Sequence, residues 1–167
     1  MASSGPPPDD ADEAAVRFAA AFALEEPATS LLLAMEGELD TMYGGPGRRL
    51  GHDRMVPPVG GYVVGWRGPT AIAGGGFTRF DDGVAEIKRM YVVPEARAQG
   101  VGRQLLAAVE SEARRAGYRR LILATGPAQA VAQALYRSAG YVDIESFSGP
   151  TSKASYWAAK DLTGQEA

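Results

Sequence analysis

The residues best suited to chemistry lie in Met90-Tyr-Val-Val-Pro-Glu-Ala-Arg-Ala-Gln-Gly-Val-Gly-Arg-Gln-Leu-Leu106, where an apolar run stops at Pro94 and a glycine-bearing turn opens a helical pattern. The first N–H groups of a helix have no acceptor within it and sit at the positive end of its dipole, so this junction can hold a phosphate. Gly100 and Gly102 lack side chains and would let a diphosphate approach the backbone closely. Glycine spacing alone fits a plain strand-to-helix turn equally well. Two other phosphate motifs fail on the residues themselves. Arg103, Gln104 and Leu105 after Gly102 supply neither a Gly-Lys-Ser/Thr run nor the third glycine of a dinucleotide fingerprint. The chain has no cysteine and one histidine, His52, so thiolate metal sites, a cysteine nucleophile and a histidine cluster are excluded and no metal site is expected. His52, in a glycine-rich stretch, reads as a surface residue.

Taken together, Val92-x-Pro94 followed by Arg97-x-x-Gly100-x-Gly102 resembles the coenzyme A diphosphate signature of the GNAT superfamily of N-acetyltransferases. Two further segments extend the resemblance over roughly residues 84 to 147. Glu86-Ile-Lys-Arg-Met-Tyr-Val92 looks like that family's central strand, and Ala132-x-x-Leu135-Tyr136-x-x-x-Gly140-Tyr141 looks like its second signature. The resemblance implies acetyl-CoA as cofactor and a primary amine, on a small molecule, as acceptor. The backbone at Met90, Tyr91 and Val92 would meet the pantetheine arm, and Arg97, Ala98, Gln99, Gly100, Val101, Gly102 and Arg103 would cradle the diphosphate. Ala98 stands where many relatives have a third glycine and is expected to adopt a helical conformation. Gln129 stands where many have an asparagine that touches the pantetheine. Tyr136 would protonate the departing thiolate, a reasonable transfer from a phenol near pKa 10 to a thiol near 8.5. Glu86 is the candidate base for the incoming ammonium, and strand alternation places it on one face with Lys88 and Met90. A cross-strand ion pair on a solvated face is the plainer account of Glu86, and a coenzyme-A-binding module without turnover is the alternative function.

These groups need a frame, and the patterning supplies one. Leu31, Leu32, Met35, Leu39 and Met42 recur at helical spacing from Pro27 to the break at Gly44-Gly45-Pro46, with Glu36, Glu38 and Asp40 on a face expected to be solvated. Residues 44 to 60 hold five glycines and three prolines and read as a long irregular connection. Strand-like runs follow at Tyr62 to Trp66, Thr70 to Phe80 and Val84 to Val93, split by Arg67-Gly68-Pro69 and Asp81-Asp82-Gly83. Gly74-Gly75-Gly76 lies inside the second run, where glycine marks a bulge or close backbone approach. The family's own bulge belongs to its central strand. Val101 to Ala116 repeat at helical spacing up to Gly117. Leu121 to Ala124 form a short buried-strand run, a second helix ends near Gly140, and Tyr141 to Phe147 and Tyr156 to Lys160 close as strands. Asp12 to Leu24 is ambiguous between helix and strand. The expected fold is α/β, with a GNAT-like mixed, centrally splayed β-sheet flanked by helices on both faces. Tyr43, Trp66 and Tyr156 are candidates to line the acceptor pocket.

Whole-chain properties bound the setting. With 17 Lys and Arg against 20 Asp and Glu, the formal charge is −3, so neither nucleic acid nor an anionic membrane is an expected partner. Residues 1–10 are expected to form a disordered tail ahead of a single domain over 11–167. No leader or membrane segment is read, so a cytoplasmic setting is expected. A homodimer is compatible with the resemblance.

Overall fold

The computed structural model describes residues 5–6, 14–46, 51–150 and 152–162. The expected tail lies almost wholly outside the described residues, as do residues 47–50 of the expected irregular connection. Within them the chain runs β1 (Val16–Ala21), α1 (Ala28–Tyr43), β2 (Gly61–Arg67), β3 (Thr70–Asp81), β4 (Val84–Val92), α2 (Val101–Arg115), β5 (Arg120–Thr125), α3 (Ala130–Ser138), β6 (Val142–Asp143) and β7 (Tyr156–Asp161). The strands form a seven-stranded sheet in the order β1-β2-β3-β4-β5-β7-β6. All pairings are antiparallel except β4 with β5.

Two apolar clusters, one on each face, decide where the helices pack. On one face Val101, Leu105, Leu106, Val109 and Ala113 of α2 and Tyr136 of α3 meet Val63, Phe77, Ala85, Ile87 and Leu123 from the strands. On the other, Leu31 and Leu32 of α1 meet Tyr62, Val64, Trp66 and Met55. The alternation of Tyr62, Val63 and Val64 between clusters is the period-two signature of a central strand buried on both sides. Gly44 closes α1 in the left-handed region, with its N–H on the Asp40 carbonyl. The Asp12 to Leu24 ambiguity resolves as a strand, because Val16–Ala21 pairs along its length with Ala21's partner Tyr62 through Val16's partner Arg67. The segment after Tyr141 is much shorter than expected, a two-residue strand: Val142 and Asp143 pair with β7, and one further bond, from Ile144 N–H to the Trp157 carbonyl, ends the contact. Among the described residues between 44 and 60, the expected irregular connection includes a 3-10 turn, His52–Met55.

The sheet splits at its centre. Strands β4 and β5 pair in parallel only at Val84, Ala85 and Glu86 with Arg120, Leu121 and Ile122. Beyond that point each keeps its other neighbour, β3 for β4 and β7 for β5. The mixed, centrally splayed sheet with helices on both faces is therefore as expected.

A second irregularity re-aims β4. Gly74 pairs with Tyr91 and Gly76 with Lys88, so β3 advances two residues while β4 advances three. The extra residue is Arg89, at φ 57°, a bulge that inverts side-chain alternation. Ala85 and Ile87 lie in the α2 cluster before the bulge, and Met90 and Val92 pack there after it. Met90 is thus on the face opposite Glu86 and Lys88, which corrects the uninterrupted alternation expected for this strand. The three glycines facing the bulge leave no room for side chains: a Cβ on Gly75 would fall 2.4 Å from the Met90 sulfur, and one on Gly74 2.1 Å from the Tyr62 hydroxyl oxygen.

Candidate active site

The wedge between β4 and β5 opens into a cavity of about 530 Å³. Ile87, Lys88, Arg89 and Met90 line it from one strand and Leu123, Ala124 and Thr125 from the other, with Met35, Leu39 and Tyr43 of α1 closing one side. Glu86 enters from the α1 side. Tyr136 enters from the α2/α3 side, so the split lets groups from opposite faces of the sheet share one space.

Tyr136 is 4 % exposed and packs edge-on against Tyr141, ring centroids 5.6 Å apart. Its hydroxyl has no hydrogen-bond partner among the described residues. Burial, and secondarily the nearby Tyr156, pushes its phenol well above the ordinary range. The group therefore stays protonated at neutral pH and can donate a proton but not take one. Glu86 pairs with Lys88 at 2.6 Å, two residues along the same face. An ion pair is indeed present, but it runs along β4 and not across strands, and it lies inside the cavity and not on a solvated face.

The loop from 97 to 103 brings main-chain N–H groups together at the start of α2. Gly100 holds the first cap position in the left-handed region and no side chain caps the helix. The first intrahelical bond runs from Gln104 N–H to the Gly100 carbonyl, which leaves the N–H groups of Val101, Gly102 and Arg103 without an intrahelical acceptor. A Cβ at Gly100 would meet nothing within 4 Å, whereas Gly102 faces Leu135 and Val92. Open space lies over the first glycine, and helix packing lies behind the second.

Ala98 departs from expectation. It sits at φ 61°, in the left-handed region, where an L-residue with a Cβ is strained. Two left-handed residues, Ala98 and Gly100, are needed to turn the chain from the strand end into α2.

The basic side chains of the loop point elsewhere than anticipated. Arg97 donates through Nε to the Val92 carbonyl (2.9 Å) and through a terminal nitrogen to Glu38 of α1 (2.7 Å), with its guanidinium 5.7 Å from the Tyr91 ring centroid. Arg103 donates to the hydroxyl and carbonyl of Ser138, tying α2 to α3. Gln99 bridges Arg67 and the Glu95 carbonyl. Arg97, Gln99 and Arg103 are exposed but their side chains are engaged with other protein groups, so the uncommitted donors of the cradle are the backbone N–H groups at its end.

On β4, Tyr91 and Val92 are paired with β3 through Gly74 and Ala73. Their β5-facing edge has no strand partner, since that pairing ended at Glu86. Gln129 precedes α3 and its amide lies 3.4 Å from the Tyr43 hydroxyl across the wedge.

The residues expected at the acceptor pocket divide. Tyr43 lines the cavity, whereas Trp66 is buried under α1 and Tyr156 in the opposite core, beneath the Arg137 guanidinium. His52 is no plain surface residue: its Nε2 lies 2.8 Å from the Glu36 carboxylate, and Glu36 is 6 % exposed. The α1 acidic face is thus only partly solvated, with Glu38 on Arg97 and Asp40 at the cavity. Sequence reasoning missed Lys153, Ser148, Ser152 and Thr125, which border the cavity, because no local motif ties the C-terminal loop to β5. No group of His, Asp and Glu residues suited to a metal ion occurs among the described residues. No helix among them is long and apolar enough to cross a membrane.

Relatives agree with this architecture. An IAA acetyltransferase from Azospirillum brasilense is 35 % identical over 135 residues, 77 % of this chain and 88 % of that protein. A candidate acyl-CoA N-acyltransferase structure from Klebsiella pneumoniae superposes with a TM-score of 0.75 at 26 % identity, covering 88 % of this chain and 97 % of its own. A GNAT family acetyltransferase from Elizabethkingia anophelis, solved with acetyl-CoA bound, shares the fold at a TM-score of 0.63 and 17 % identity over 87 % of this chain and 97 % of that one. Residues 36–141, spanning α1 to the end of the second signature, match the acetyltransferase (GNAT) family, and with the split sheet and the open helix N-terminus already described, this chain belongs to that family.

Proposed function

We propose that the protein transfers an acetyl group from acetyl-CoA to the primary amine of a small molecule, with both reactants held at once and the amine attacking directly. The observation that carries this reading is the wedge itself: the edge of β4 left unpaired at Met90 and the buried, protonated phenol of Tyr136 open onto one cavity, and the same strand leads through residues 93–100 to a helix start with acceptor-free N–H groups. The residues fit the cofactor. The N–H groups at 101–103 would bind the diphosphate, the free edge at Met90–Val92 would hydrogen-bond the pantetheine amides, and Gln129 would lie beside them. The relative solved with acetyl-CoA supports this fit by analogy of fold.

Acetyl-CoA supplies the activated acyl carbon. Glu86 takes the amine proton, directly or through water, and the N–H donors near Val92 steady negative charge on the carbonyl oxygen. Tyr136 gives its proton to the departing sulfur. Residues 11–167 work as one domain in the cytoplasm, without nucleic acid or membrane.

Free-thiol release with a panel of amines, to which IAA is added because of the Azospirillum relative, tests the reading. Tyr136→Phe should lower kcat by about 100-fold or more, with acetyl-CoA affinity nearly unchanged and no loss of thermal stability, because the hydroxyl it removes has no partner. An unchanged kcat would remove Tyr136 from the chemistry. An absence of acetyl-CoA binding in calorimetry would remove the enzyme reading altogether.

A further inference from the structure

The cavity is not chemically uniform, and its far end opens into a recess of about 250 Å³ between β4, β5 and the loop that leads into β7. Its charged side chains are Glu86, Lys88 and Lys153. Glu86 and Lys88 neutralise one another at 2.6 Å. The ammonium of Lys153 is left, with no ion pair among the described residues. The recess is therefore locally positive although the whole chain carries −3. At physiological salt, charges are screened over about 8 Å, so the groups lining the recess, not the distant surface, decide what it attracts.

Three hydroxyl residues that line the recess with Lys153 point to an anion as well. The Ser148 hydroxyl oxygen accepts from the Trp157 indole N–H at 2.8 Å, and that of Ser152 accepts from the Ala154 N–H at 3.1 Å. Each is fixed as an acceptor on its own side, and its proton is given to no described group. Thr125 is 8 % exposed and its hydroxyl is buried in the wedge without a partner among the described residues. A buried hydroxyl left without a partner is costly, and a bound ligand would relieve that cost. Beyond the recess the wall turns apolar: Phe80 and Phe147 pack edge-on at 5.2 Å and both line the cavity, although Phe80 is 48 % exposed.

Resting on the acetyltransferase reading, we propose that the acceptor is an amine carrying its own carboxylate and an apolar body, as in an aromatic amino acid. The carboxylate sits against Lys153, Ser148 and Ser152, the carbon skeleton lies along Phe80 and Phe147, and the amine faces Glu86. The reaction balances without another reactant: the N–C bond forms, the C–S bond breaks, the amine loses one proton and the sulfur gains one. This choice of acceptor reverses what the acidic overall balance of the chain favours, a purely cationic amine.

Matched acceptors test it. Thiol release is measured with phenylalanine, its amide and phenethylamine, on the full-length protein and on Lys153→Met, with acetyl-CoA binding followed by calorimetry as a check that each variant is folded. The carboxylate should raise kcat/KM at least about 10-fold over phenethylamine, the scale of one charge-assisted hydrogen bond. Lys153→Met should narrow that ratio to about 2-fold, through the KM of the acid. Equal turnover of the pair, or a ratio that survives Lys153→Met, overturns the carboxylate site while leaving the enzyme reading intact. Thiol release with no amine at all, despite acetyl-CoA binding, overturns both.

Discussion

Ala98→Gly should make this protein more stable, an unusual direction for a substitution to glycine. Ala98 is held at φ 61°, and an L-residue with a Cβ costs about 1–2 kcal/mol there relative to the right-handed region. Glycine removes that strain but adds unfolded-state freedom worth about 0.4–1 kcal/mol. The difference leaves a net gain of about 0.5–1 kcal/mol, or about 2 °C in Tm for a domain of this size. Two controls separate backbone angle from space. Gly100 is at φ 80° with nothing within 4 Å of its missing Cβ, so Gly100→Ala should lose a similar amount by strain alone. Gly37 also has open space but lies inside α1, so Gly37→Ala should gain about 0.5–1 kcal/mol by helix propensity. Urea unfolding with a common m-value reads all three as shifts in midpoint. If Ala98→Gly lowered the midpoint by the 0.4–1 kcal/mol expected of an ordinary alanine-to-glycine change, the left-handed turn at 98 would be refuted, and with it the account of how the chain enters α2.

Glu110, 5 % exposed on α2, accepts from the Tyr141 hydroxyl at 3.0 Å and from the Lys160 ammonium at 3.1 and 3.2 Å. Glu110→Ala strands both donors and should cost about 3–5 kcal/mol by urea unfolding; a loss under about 1 kcal/mol would mean that water replaces the carboxylate. Alkaline stability should fall steeply, because burial raises the phenols of Tyr62, Tyr136 and Tyr141 in the folded state. Their contribution is complete below about pH 10, where unfolded tyrosine titrates, and declines above it by about 4 kcal/mol per pH unit for three groups; a flat stability between pH 10 and 11 would contradict their burial. Glu38→Gln should release Arg97 from the exposed pair with α1 and tighten acetyl-CoA about 2–5-fold, the scale of a surface ion pair, as calorimetry would detect. Weaker binding would show that Glu38 positions Arg97 for the cofactor instead of competing for it.

Local patterns disclosed the elements and the family, since their signals are carried by neighbouring residues. Apolar spacing located α1 and α2, turn chemistry separated β2, β3 and β4, and the Arg97-x-x-Gly100-x-Gly102 run marked the helix start. The position of Tyr136 at the wedge was also legible, because its motif is local, lying on one short helix and the turn after it. What stayed out of reach depended on partners distant in the chain. The bulge at Arg89 is a mismatch in count between β3 and β4, visible only once the strands are paired, and it alone sets Met90 opposite Glu86. Arg97 engages Glu38 across 59 positions, and Lys153 reaches the wedge only because β7 docks on β5. The strained angle of Ala98 is likewise imposed by the ends it must join. A one-dimensional pattern records what each segment prefers; charge, burial and alternation at the site are set by which segments the sheet brings side by side.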